Sequence, residues 1–366
     1  MKRPAILLID LNMFFGGGQV YLLQLADLLR GRSDLYAFCI NPKVAKLLQN
    51  QGVHAISYPW ALNSGKPVHM LLCLLVCVWL RLVRGVNVMW ANGIPDIVAM
   101  PIARGMGCTA FATRHLTLEI ETQHWYRGAK RRAAEFLYRA FAGTAHKIVC
   151  VSQAVADDLL TIVHQDRLIV IQNWVTSLPE PPRNYDTANE VIRLLYVGRL
   201  QKYKGASTIL QAMRQIESQK TGRRLSLTVV GEGRYRDELE SEAEGLDVVF
   251  TGFQSDTTPY YLAADVFVNP SIGPEGLPLV SLEAMSHGLT CIFSDLPVHK
   301  EITNNGEAAL LFRAGDVDDL TNMLARLLSS HQLFQQYGRS ARRQIETWHA
   351  ATSARERYLT LILQSV

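Results

Sequence analysis

Two glutamates in the last third of the chain have the type and spacing to bind one extended, hydroxyl-rich ligand. Glu275 precedes a segment typical of a helix, and Glu283 follows eight residues later. At about 1.5 Å of rise per residue this is roughly two helical turns, so the carboxylates reach separate parts of a ligand. Buried sugar and ribose hydroxyls are donors that need such acceptors. A helix cap for Glu275 and a surface ion pair for Glu283 are the alternative interpretation.

Two cations upstream have the chemistry to bind an anionic part of the same ligand. The segment VGRLQKYKG, residues 197–205, ends a predicted strand and begins a helix, which brings Arg199 and Lys204 to the carboxyl edge of a sheet. Ligands of open α/β sheets bind at that edge. Arginine offers forked hydrogen bonds and lysine a mobile point charge, which together suit a diphosphate. Two solvated loop cations are the alternative.

Glycines and a helix start accompany these charges. The sequence Val230-Gly231-Glu232-Gly233 repeats the strand-to-glycine pattern, which permits close approach of the backbone to a ligand or makes a tight turn. Asn269-Pro270-Ser271 then leads from a strand into the Glu275 loop. Helix N-terminal amides near Gly276–Leu279 are expected to attract phosphate.

A scaffold of alternating strands and helices must position these residues. Short apolar runs rich in β-branched residues alternate with longer helical segments, which predicts parallel sheets covered by helices. The predicted strands are Ala5–Asp10, Tyr36–Ile40, Val86–Trp90, Thr109–Thr113, Lys147–Val151, Leu168–Gln172, Ile192–Val197, Leu225–Val230, Val248–Thr251, Val266–Asn269, Thr290–Ser294 and Leu310–Phe312. At 366 residues the chain exceeds what one core supports, and the proline-rich segment 178–189 is typical of a linker between two doubly wound domains.

Charge is distributed unevenly between the two halves. The net charge is +4, but residues 1–185 carry 19 Lys/Arg against 11 Asp/Glu (+8), and residues 186–366 carry 18 against 22 (−4). The excess is densest from Arg127 to Lys147, where six basic residues face only Glu135. Such a run suits an anionic surface, either membrane or nucleic acid, and a solvated helix face is the alternative.

The cysteines and the N-terminus indicate an intracellular protein. The six cysteines lie mostly in apolar stretches without CxxC spacing or clustered histidines, so neither a zinc site nor a disulfide framework is predicted. We therefore expect a reducing, cytoplasmic compartment. The first residues, MKRPAILLID, have a basic start and a short apolar run, but Asp10 and Asn12 interrupt it and no small-residue cleavage site follows. They predict a first strand.

The most apolar stretch is MLLCLLVCVWL, Met70–Leu80, and it has basic residues on both sides. Eleven residues are too few to cross a bilayer, which needs about 20. The stretch predicts a buried helix, and a helix that dips into a membrane interface is the alternative.

Taken together, these motifs resemble those of the large family of retaining glycosyltransferases known as family 4 or group 1, which includes bacterial cell-envelope enzymes. The resemblance covers nearly the whole chain and keeps the Glu-x7-Glu spacing. Its motifs are Gly198-Arg199-Leu200 with Lys204-Gly205, Val230-Gly231-Glu232-Gly233, Thr251-Gly252-Phe253, Asp265 through Pro270-Ser271, and Glu275 through Glu283-Ala284-Met285 with Gly288.

That resemblance implies a GT-B fold, in which two Rossmann-like domains face each other across a cleft and a C-terminal helix crosses back to the first domain. It implies an acceptor-binding domain over 1–180 with the helix about 350–366, and a nucleotide-sugar donor domain over 190–349. Lys204 and Arg199 would hold the donor diphosphate, Glu275 the hydroxyls of the transferred sugar and Glu283 the ribose. The full implied set adds His115 as a catalytic residue and Gly17, Gly18, Gly231, Phe253, Gly276, Leu277, Pro278 and Leu279 as donor-binding residues.

The N-terminal half matches the family less densely. Gly16-Gly17-Gly18-Gln19 follows the first strand, where glycines permit close approach to phosphate or to the transferred sugar, and a plain turn is the alternative. His115 stands at the place of the family's cleft histidine, which contacts the sugar near the reacting carbon. The chain departs from the family with Pro278 for a frequent glycine, Thr290 for a proline and Leu116 for an aspartate. The last change removes a polar partner of His115.

The implied activity is transfer of a hexose from a nucleotide-diphosphate sugar to a glycan or lipid-linked acceptor in cell-envelope polysaccharide or lipopolysaccharide biosynthesis. The family's usual mechanism is front-face attack, with the leaving phosphate accepting the acceptor's proton. We expect no metal or other cofactor and no nucleic-acid partner, whereas the basic, apolar first half suggests peripheral contact with an anionic membrane. A nucleotide-sugar epimerase or hydrolase of the same fold, and a non-catalytic nucleotide-sugar-binding protein, are the alternatives.

Overall fold

A computed structural model describes most of the chain as two compact units. The described residues are 3–13, 15–58, 60, 66–93, 95–117, 136, 138–176, 178–179, 191–218, 224–273, 275–349 and 351–364. The first unit comprises Met1–Asn173 with Thr352–Val366, and the second comprises Trp174–Ala351. The division after residue 173 precedes the predicted boundary at 180, because Val175 donates a backbone hydrogen bond to His349 of the second unit. Most of the predicted linker lies outside the described residues.

The first unit is built around a parallel sheet of seven strands in the order β3-β2-β1-β4-β5-β6-β7. The strands are β1 Ala5–Asp10, β2 Asp34–Cys39, β3 His54–Ile56, β4 Val88–Ala91, β5 Thr109–Arg114, β6 Lys147–Cys150 and β7 Leu168–Val170. Its helices are α1 Gly17–Leu29, α2 Pro42–Asn50, α3 Lys66–Arg84, α4 Met100–Gly105, α5 Gln153–Leu159 and, from the end of the chain, α13 Ala351–Leu363. Only β3, three residues long, is absent from the predicted strands.

The second unit repeats this architecture with six parallel strands in the order β10-β9-β8-β11-β12-β13. The strands are β8 Val191–Val197, β9 Arg224–Val230, β10 Val248–Gly252, β11 Val266–Asn269, β12 Thr290–Ser294 and β13 Leu310–Phe312. The helices are α6 Ala206–Ser218, α7 Arg236–Glu242, α8 Thr258–Ala263, α9 Leu279–Ser286, α10 Pro297–Ile302, α11 Val317–Ser329 and α12 His331–Trp348. The predicted fold class of two Rossmann-like domains is thereby confirmed.

Burial explains why these segments form parallel strands. Every residue of β4, β11 and β12 is buried, as expected when helices cover both faces of a sheet and each strand is a continuous apolar run. In the second unit, the sheet packs against α6 and α11 through one cluster that includes Leu194, Ile209 and Leu324. The core therefore consists of residues from the apolar runs that the sequence predicts as strands and helices.

The C-terminal helix α13 packs into the first unit, as the resemblance implied. The Tyr358 hydroxyl lies 2.7 Å from the Tyr21 hydroxyl of α1, which in turn lies 2.9 Å from Thr113 Oγ1 at the end of β5. The Trp90 indole donates to the same threonine oxygen over 2.8 Å. All four side chains are buried, so these polar groups satisfy one another in the core.

Helix α3 contains the apolar stretch Met70–Leu80, and it is buried on one face only. Cys73, Val76, Cys77 and Leu80 are buried, whereas the opposite face is exposed. The prediction of a buried helix is therefore confirmed for one face only. The stretch is apolar all round, but it packs against the unit from one side. None of the helices in the described residues is long and apolar enough to cross a membrane. The basic run from Arg127 lies mostly outside the described residues.

Strand order determines where ligands fit on each unit. The order reverses between β1 and β4 in the first sheet and between β8 and β11 in the second. At such a switch point the loops from neighbouring strands diverge and leave a crevice at the carboxyl edge. In the first unit this edge carries the residues after Asp10 and Ala91, and in the second it carries those after Val197 and Asn269.

Candidate active site

The loop after β8 carries Arg199 and Lys204 on either side of Tyr203. The Arg199 guanidinium is exposed and donates to the Tyr203 hydroxyl over 2.8 Å, and Lys204 ends a short 3-10 turn, Lys202–Lys204. Gly205 follows with φ +72°, and a Cβ placed there would lie 2.0 Å from the Pro270 carbonyl oxygen. Because only glycine fits this contact, the β8 loop approaches the loop after β11 closely.

That approach joins Lys204 to Glu275. Lys204 Nζ donates to Glu275 Oε1 over 2.5 Å, and Ser271 Oγ donates to the same oxygen over 2.5 Å. Ser271 Oγ also lies 3.0 Å from Asn269 Oδ1, and Asn269 Nδ2 donates to Ser281 Oγ over 3.0 Å. The carboxylate is thus fixed by groups from the loops after β8 and β11, at the switch point of the second sheet, and Asn269 connects Ser271 to helix α9.

The charge of Glu275 is maintained although its side chain is only 5% exposed. Burial, the largest single influence, raises the pKa of this carboxyl group, but the charge of Lys204 and the hydrogen bonds from Lys204 and Ser271 outweigh it. The net effect is a pKa below the usual value, so Glu275 is an ionised acceptor at neutral pH. A buried carboxylate beside an ammonium group is suited to hydroxyl donors on one side and an anion on the other.

A buried histidine near this pair was missed in the sequence. His299 of α10 is fully buried, its Nδ1 donates to the Ser294 carbonyl over 2.8 Å, and it lies within electrostatic reach of Glu275. Burial is the main cause that lowers its pKa to about 4, so it is neutral at pH 7. Its Nε2 has no hydrogen-bond partner among the described residues. Nothing in the sequence marked it, because its relation to Glu275 depends on β12 lying beside β11.

Glu283 lies apart from Glu275 and has its own partner. It is on α9, where the buried Tyr261 hydroxyl donates to Glu283 Oε2 over 2.9 Å. Burial raises the pKa of Glu283 and is only partly opposed by the hydrogen bond from Tyr261. The structure therefore connects the predicted ribose-binding carboxylate to α8 and not to the Lys204 pair.

The remaining residues predicted in the second unit lie around these two carboxylates. Gly231, at φ +140°, contacts the β8 loop, because a Cβ there would lie 1.9 Å from the Gly198 carbonyl oxygen, so loop packing alone requires glycine. Phe253 follows β10 and is exposed. Helix α9 begins at Leu279 with Pro278 as its N-cap, directly after Gly276 and Leu277. The substitution of Pro278 for the family's glycine is thus accommodated at a helix start.

In the first unit the structure brings His115 to the glycine loop through Asn92, which the sequence analysis missed. Asn92 follows β4, and its Nδ2 donates to the Gly18 carbonyl oxygen over 3.0 Å. Asn92 Oδ1 therefore faces His115 Nε2, at 2.9 Å, and accepts a hydrogen bond from it. A Cβ on Gly18 would lie 3.4 Å from the His115 ring, whereas one on Gly17 would meet nothing within 4 Å.

The environment of His115 fixes its protonation. Burial, and secondarily the charge of Arg114, lower its pKa to about 3, so the ring is neutral at pH 7. With the proton on Nε2 shared with Asn92, Nδ1 carries the lone pair and is an acceptor. The polar partner that Leu116 cannot provide is thus supplied by Asn92.

A buried acid stabilises the start of α1. Asp10, the last residue of β1, accepts from Gln19 Nε2 at 3.1 Å and from Asn12 Nδ2 at 2.7 Å. Gln19 Oε1 in turn accepts from the Gly16 amide at 3.0 Å, which satisfies the backbone donor of the N-cap residue of α1. Burial raises the pKa of Asp10 to about 6 despite these hydrogen bonds.

No group of three or more His, Cys, Asp or Glu in the described part of the chain is arranged to hold a metal ion. Asp316-Val317-Asp318 has the DxD pattern of a metal motif, which was missed in the sequence. Asp316 is the N-cap of α11, where its side chain accepts from the Asp319 amide over 2.9 Å and pairs with Arg313 over 2.8 Å. This pattern therefore serves as a helix cap.

Comparison with known proteins agrees with this geometry. Residues 15–177 match the family model "Glycosyltransferase Family 4", and residues 192–330 match "Glycosyl transferases group 1". The sulfoquinovosyl transferase SQD2 of Arabidopsis thaliana is 33% identical over 167 residues, which are 44% of this chain and 31% of that protein. A phosphatidyl-myo-inositol mannosyltransferase of Mycobacterium leprae is 32% identical over 149 residues, 39% of each chain. The matched regions span less than two thirds of these relatives.

Among solved structures, the Anabaena protein HepE in complex with UDP-glucose has the same fold. Its TM-score is 0.81 at 18% sequence identity, and the match covers 99% of this chain and 100% of that one. The two family models together extend over both units, and the motifs that carry Lys204, Glu275 and Glu283 lie within the matched 192–330 segment. The chain therefore belongs to the group 1 glycosyltransferases of family 4.

Proposed function

We propose that this protein transfers a hexose from a nucleotide-diphosphate sugar to a glycan or lipid-linked acceptor, with retention of the anomeric configuration. The observation that carries the proposal is the Lys204–Glu275 pair, in which a cation and a buried ionised carboxylate lie 2.5 Å apart at the switch point of a Rossmann-like sheet. Family membership supplies the reaction class. The pair supports the assignment of this edge to the donor.

Lys204 and Arg199 bind the donor diphosphate in this proposal. An ammonium group has three donors, of which the Glu275 contact uses one, so Lys204 retains capacity for phosphate oxygens. Arg199 is exposed and held by Tyr203, so its guanidinium is oriented beside the same loop. The start of α9 adds backbone amides. These charges stabilise the negative charge that develops on the leaving phosphate, and the proposal needs no metal.

Glu275 accepts hydrogen bonds from hydroxyls of the transferred sugar. Its ionised state and the hydrogen bonds that Lys204 and Ser271 donate to Oε1 hold the carboxylate in place before the donor binds, which is the preorganisation that a transition state requires. Glu283, four residues into α9, accepts from the ribose, and the exposed Phe253 marks the loop that meets the base. The two ends of the donor thus have separate carboxylates.

The first unit contributes the acceptor surface and His115. Neutral His115 with Nδ1 as acceptor suits a sugar hydroxyl, and Gly17 and Gly18 leave space for backbone approach. In the reaction, the acceptor oxygen bonds to the anomeric carbon as the bond from that carbon to the phosphate oxygen breaks. The acceptor's proton passes to the leaving phosphate oxygen on the same face. The products are the glycoside and the nucleoside diphosphate.

The relatives guide the choice of substrates. The structures of HepE with UDP and with UDP-glucose favour a uridine-diphosphate sugar as the first donor to test. The mannosyltransferase named above acts, by its name, on a phosphatidylinositol, which favours a lipid-linked acceptor. We further propose a cytoplasmic location, with peripheral contact at the inner face of the cytoplasmic membrane.

Donor binding is tested first, with uridine-, guanosine- and adenosine-diphosphate sugars in a thermal-shift series. A ligand at 100 times its dissociation constant adds about 2.7 kcal/mol of stability, so one base should stand out. The chosen donor, labelled in its sugar, is then supplied with cell-envelope lipid extracts, and transfer is followed by chromatography. Lys204→Ala and Glu275→Ala should each reduce turnover by far more than a few fold. Turnover within a few fold of the parent protein contradicts the assignment.

Two results would favour the alternatives. Rapid release of nucleoside diphosphate without an acceptor indicates a hydrolase or epimerase, and donor binding without turnover in any extract indicates a non-catalytic binding protein. An epimerase is distinguished from a hydrolase by an inverted configuration at a ring carbon of the sugar other than the anomeric carbon.

A further inference from the structure

Helix α3 presents a contiguous apolar stripe to the exterior of the first unit. Six large side chains on it are between 39% and 78% exposed, and their spacing of three, four or one residues places them on one helical face. They are Leu71, Leu75, Val78, Trp79, Leu82 and Val83. Single exposed apolar residues are ordinary, but a stripe of this length marks an interaction surface. We call it the α3 stripe.

The charged residues of helix α3 and of the neighbouring helix α4 are all basic. Helix α3 contains no acidic residue and has Arg81 and Arg84 in its last turn. Arg81 donates from Nη1 to the Val86 carbonyl over 3.1 Å, which holds its guanidinium at that end of the helix. The neighbouring helix α4, which contacts α3, also lacks acidic residues and carries the exposed Arg104 near its end. Helices α3 and α4 thus carry arginines near their ends and no acidic residue.

We propose that the α3 stripe binds the surface of an anionic lipid bilayer. Leucine, valine and tryptophan side chains enter the boundary between headgroups and acyl chains, and Arg81, Arg84 and Arg104 contact lipid phosphates. Tryptophan favours this boundary because its ring is apolar and its N–H is polar. The helix lies in the plane of the membrane, since its other face is buried in the first unit and cannot leave it.

This inference rests on the proposed function in one respect: it accounts for how the enzyme reaches a lipid-linked acceptor. The two stand on different residues, because no residue of the stripe is assigned to donor or acceptor chemistry. Binding to lipid and turnover of the donor can therefore be measured separately, and failure of one does not imply failure of the other.

Vesicle flotation with the full chain tests the proposal. We expect the protein to float with vesicles of 70% phosphatidylcholine and 30% phosphatidylglycerol, and at least tenfold less with phosphatidylcholine alone. The variant L75Q/L82Q should lower the partition coefficient on anionic vesicles at least tenfold. Leu160→Gln changes another exposed leucine of the same unit, 46% exposed against 58% for Leu75, and is the control that should bind as the parent does. Arg84→Gln should weaken anionic binding and reduce its salt dependence.

All variants should keep the circular-dichroism spectrum and the unfolding temperature of the parent, which shows that they are folded. The proposal is overturned if the parent does not float, if it floats equally with both vesicles, or if L75Q/L82Q floats undiminished. Sedimentation velocity tests whether a second copy of this chain binds the α3 stripe instead. A dimer that the double variant abolishes, without any lipid binding, would make the stripe an interface between copies of this chain.

Discussion

Lys204 and Glu275 are 71 positions apart in the sequence, yet Lys204 Nζ donates to Glu275 Oε1 over 2.5 Å. The contact exists because β8 and β11 are neighbours in the sheet and because Gly205 lets their loops meet. One ammonium group thus serves as counter-ion to a buried carboxylate and, in the proposed reaction, as a ligand of the donor phosphate. The first two predictions below follow from this double use of Lys204.

Lys204→Ala should reduce both stability and catalysis. Removing one partner of a buried ion pair leaves an uncompensated charge, so we expect the free energy of unfolding to fall by about 3 kcal/mol. Loss of charge stabilisation on the leaving phosphate should lower kcat/KM by about 100- to 1000-fold. Arg236→Ala removes two partly exposed ion pairs of the same unit, with Glu232 and Glu240, and is the control, for which urea unfolding should show no comparable loss. Equal losses in the two variants would contradict a buried, functional pair.

Gly205→Ala should separate the two loops that carry the pair. The added Cβ meets the Pro270 carbonyl oxygen, which is backbone and cannot turn away, and the residue also has φ +72°. Gly245 has a similar φ of +82° with nothing within 4 Å, so Gly245→Ala reports the cost of the backbone conformation alone, about 1 kcal/mol. We expect Gly205→Ala to cost at least about 2 kcal/mol more in urea unfolding and to abolish stabilisation by the donor. Similar losses in both variants would show that the loops adapt.

Asp10 should make stability depend on pH. Its pKa is raised from about 3.8 to about 6 by burial, so the folded chain holds this proton more tightly than the unfolded chain. The stabilisation is fully present below pH 3.8 and is lost as the pH rises through 6, a change of about 3 kcal/mol at 1.36 kcal/mol per unit. Asp10→Asn should remove it. The difference in unfolding free energy between parent and variant, measured from pH 4 to 7.5, should therefore change in this sense, and a flat difference would refute the shift.

Asn92 should act as a positioning residue for His115. Asn92→Ala removes the acceptor of the His115 Nε2 proton, so we expect the ring to sample both tautomers and kcat/KM to fall about tenfold. Nitrogen-15 spectra of labelled histidine report the tautomer directly. Asn92→Asp should instead raise the pKa of His115, because a carboxylate favours the imidazolium form. The control is Asn87→Ala, which removes an asparagine that accepts from the Ala5 amide and should leave the His115 spectrum unchanged.

The sequence predicts those features that depend on local pattern. Strands β11, β12 and β13 have the predicted bounds, because each is an apolar run between turn residues. Lys204 and Glu275 were predicted to bind one ligand because both follow strands, and parallel strands present their carboxyl ends at one edge.

Features that depend on strand order were missed. Asn92 is near His115 only because β4 lies beside β5, and His299 is near Glu275 only because β12 lies beside β11. The one-sided burial of α3 could not be predicted either, because a helix that is apolar on all sides carries no periodicity that distinguishes its two faces.

The hydrogen bond between Tyr21 and Tyr358 has a consequence for synthesis on the ribosome. The second unit is one continuous segment that precedes α13, so its residues are translated before that helix is complete. The first unit begins earlier but completes later, since α13 follows the second unit in the chain and supplies a buried side chain to the core beneath α1. Until α13 is made, the core of the first unit lacks Tyr358, and a frameshift within this helix would damage the unit that was started first.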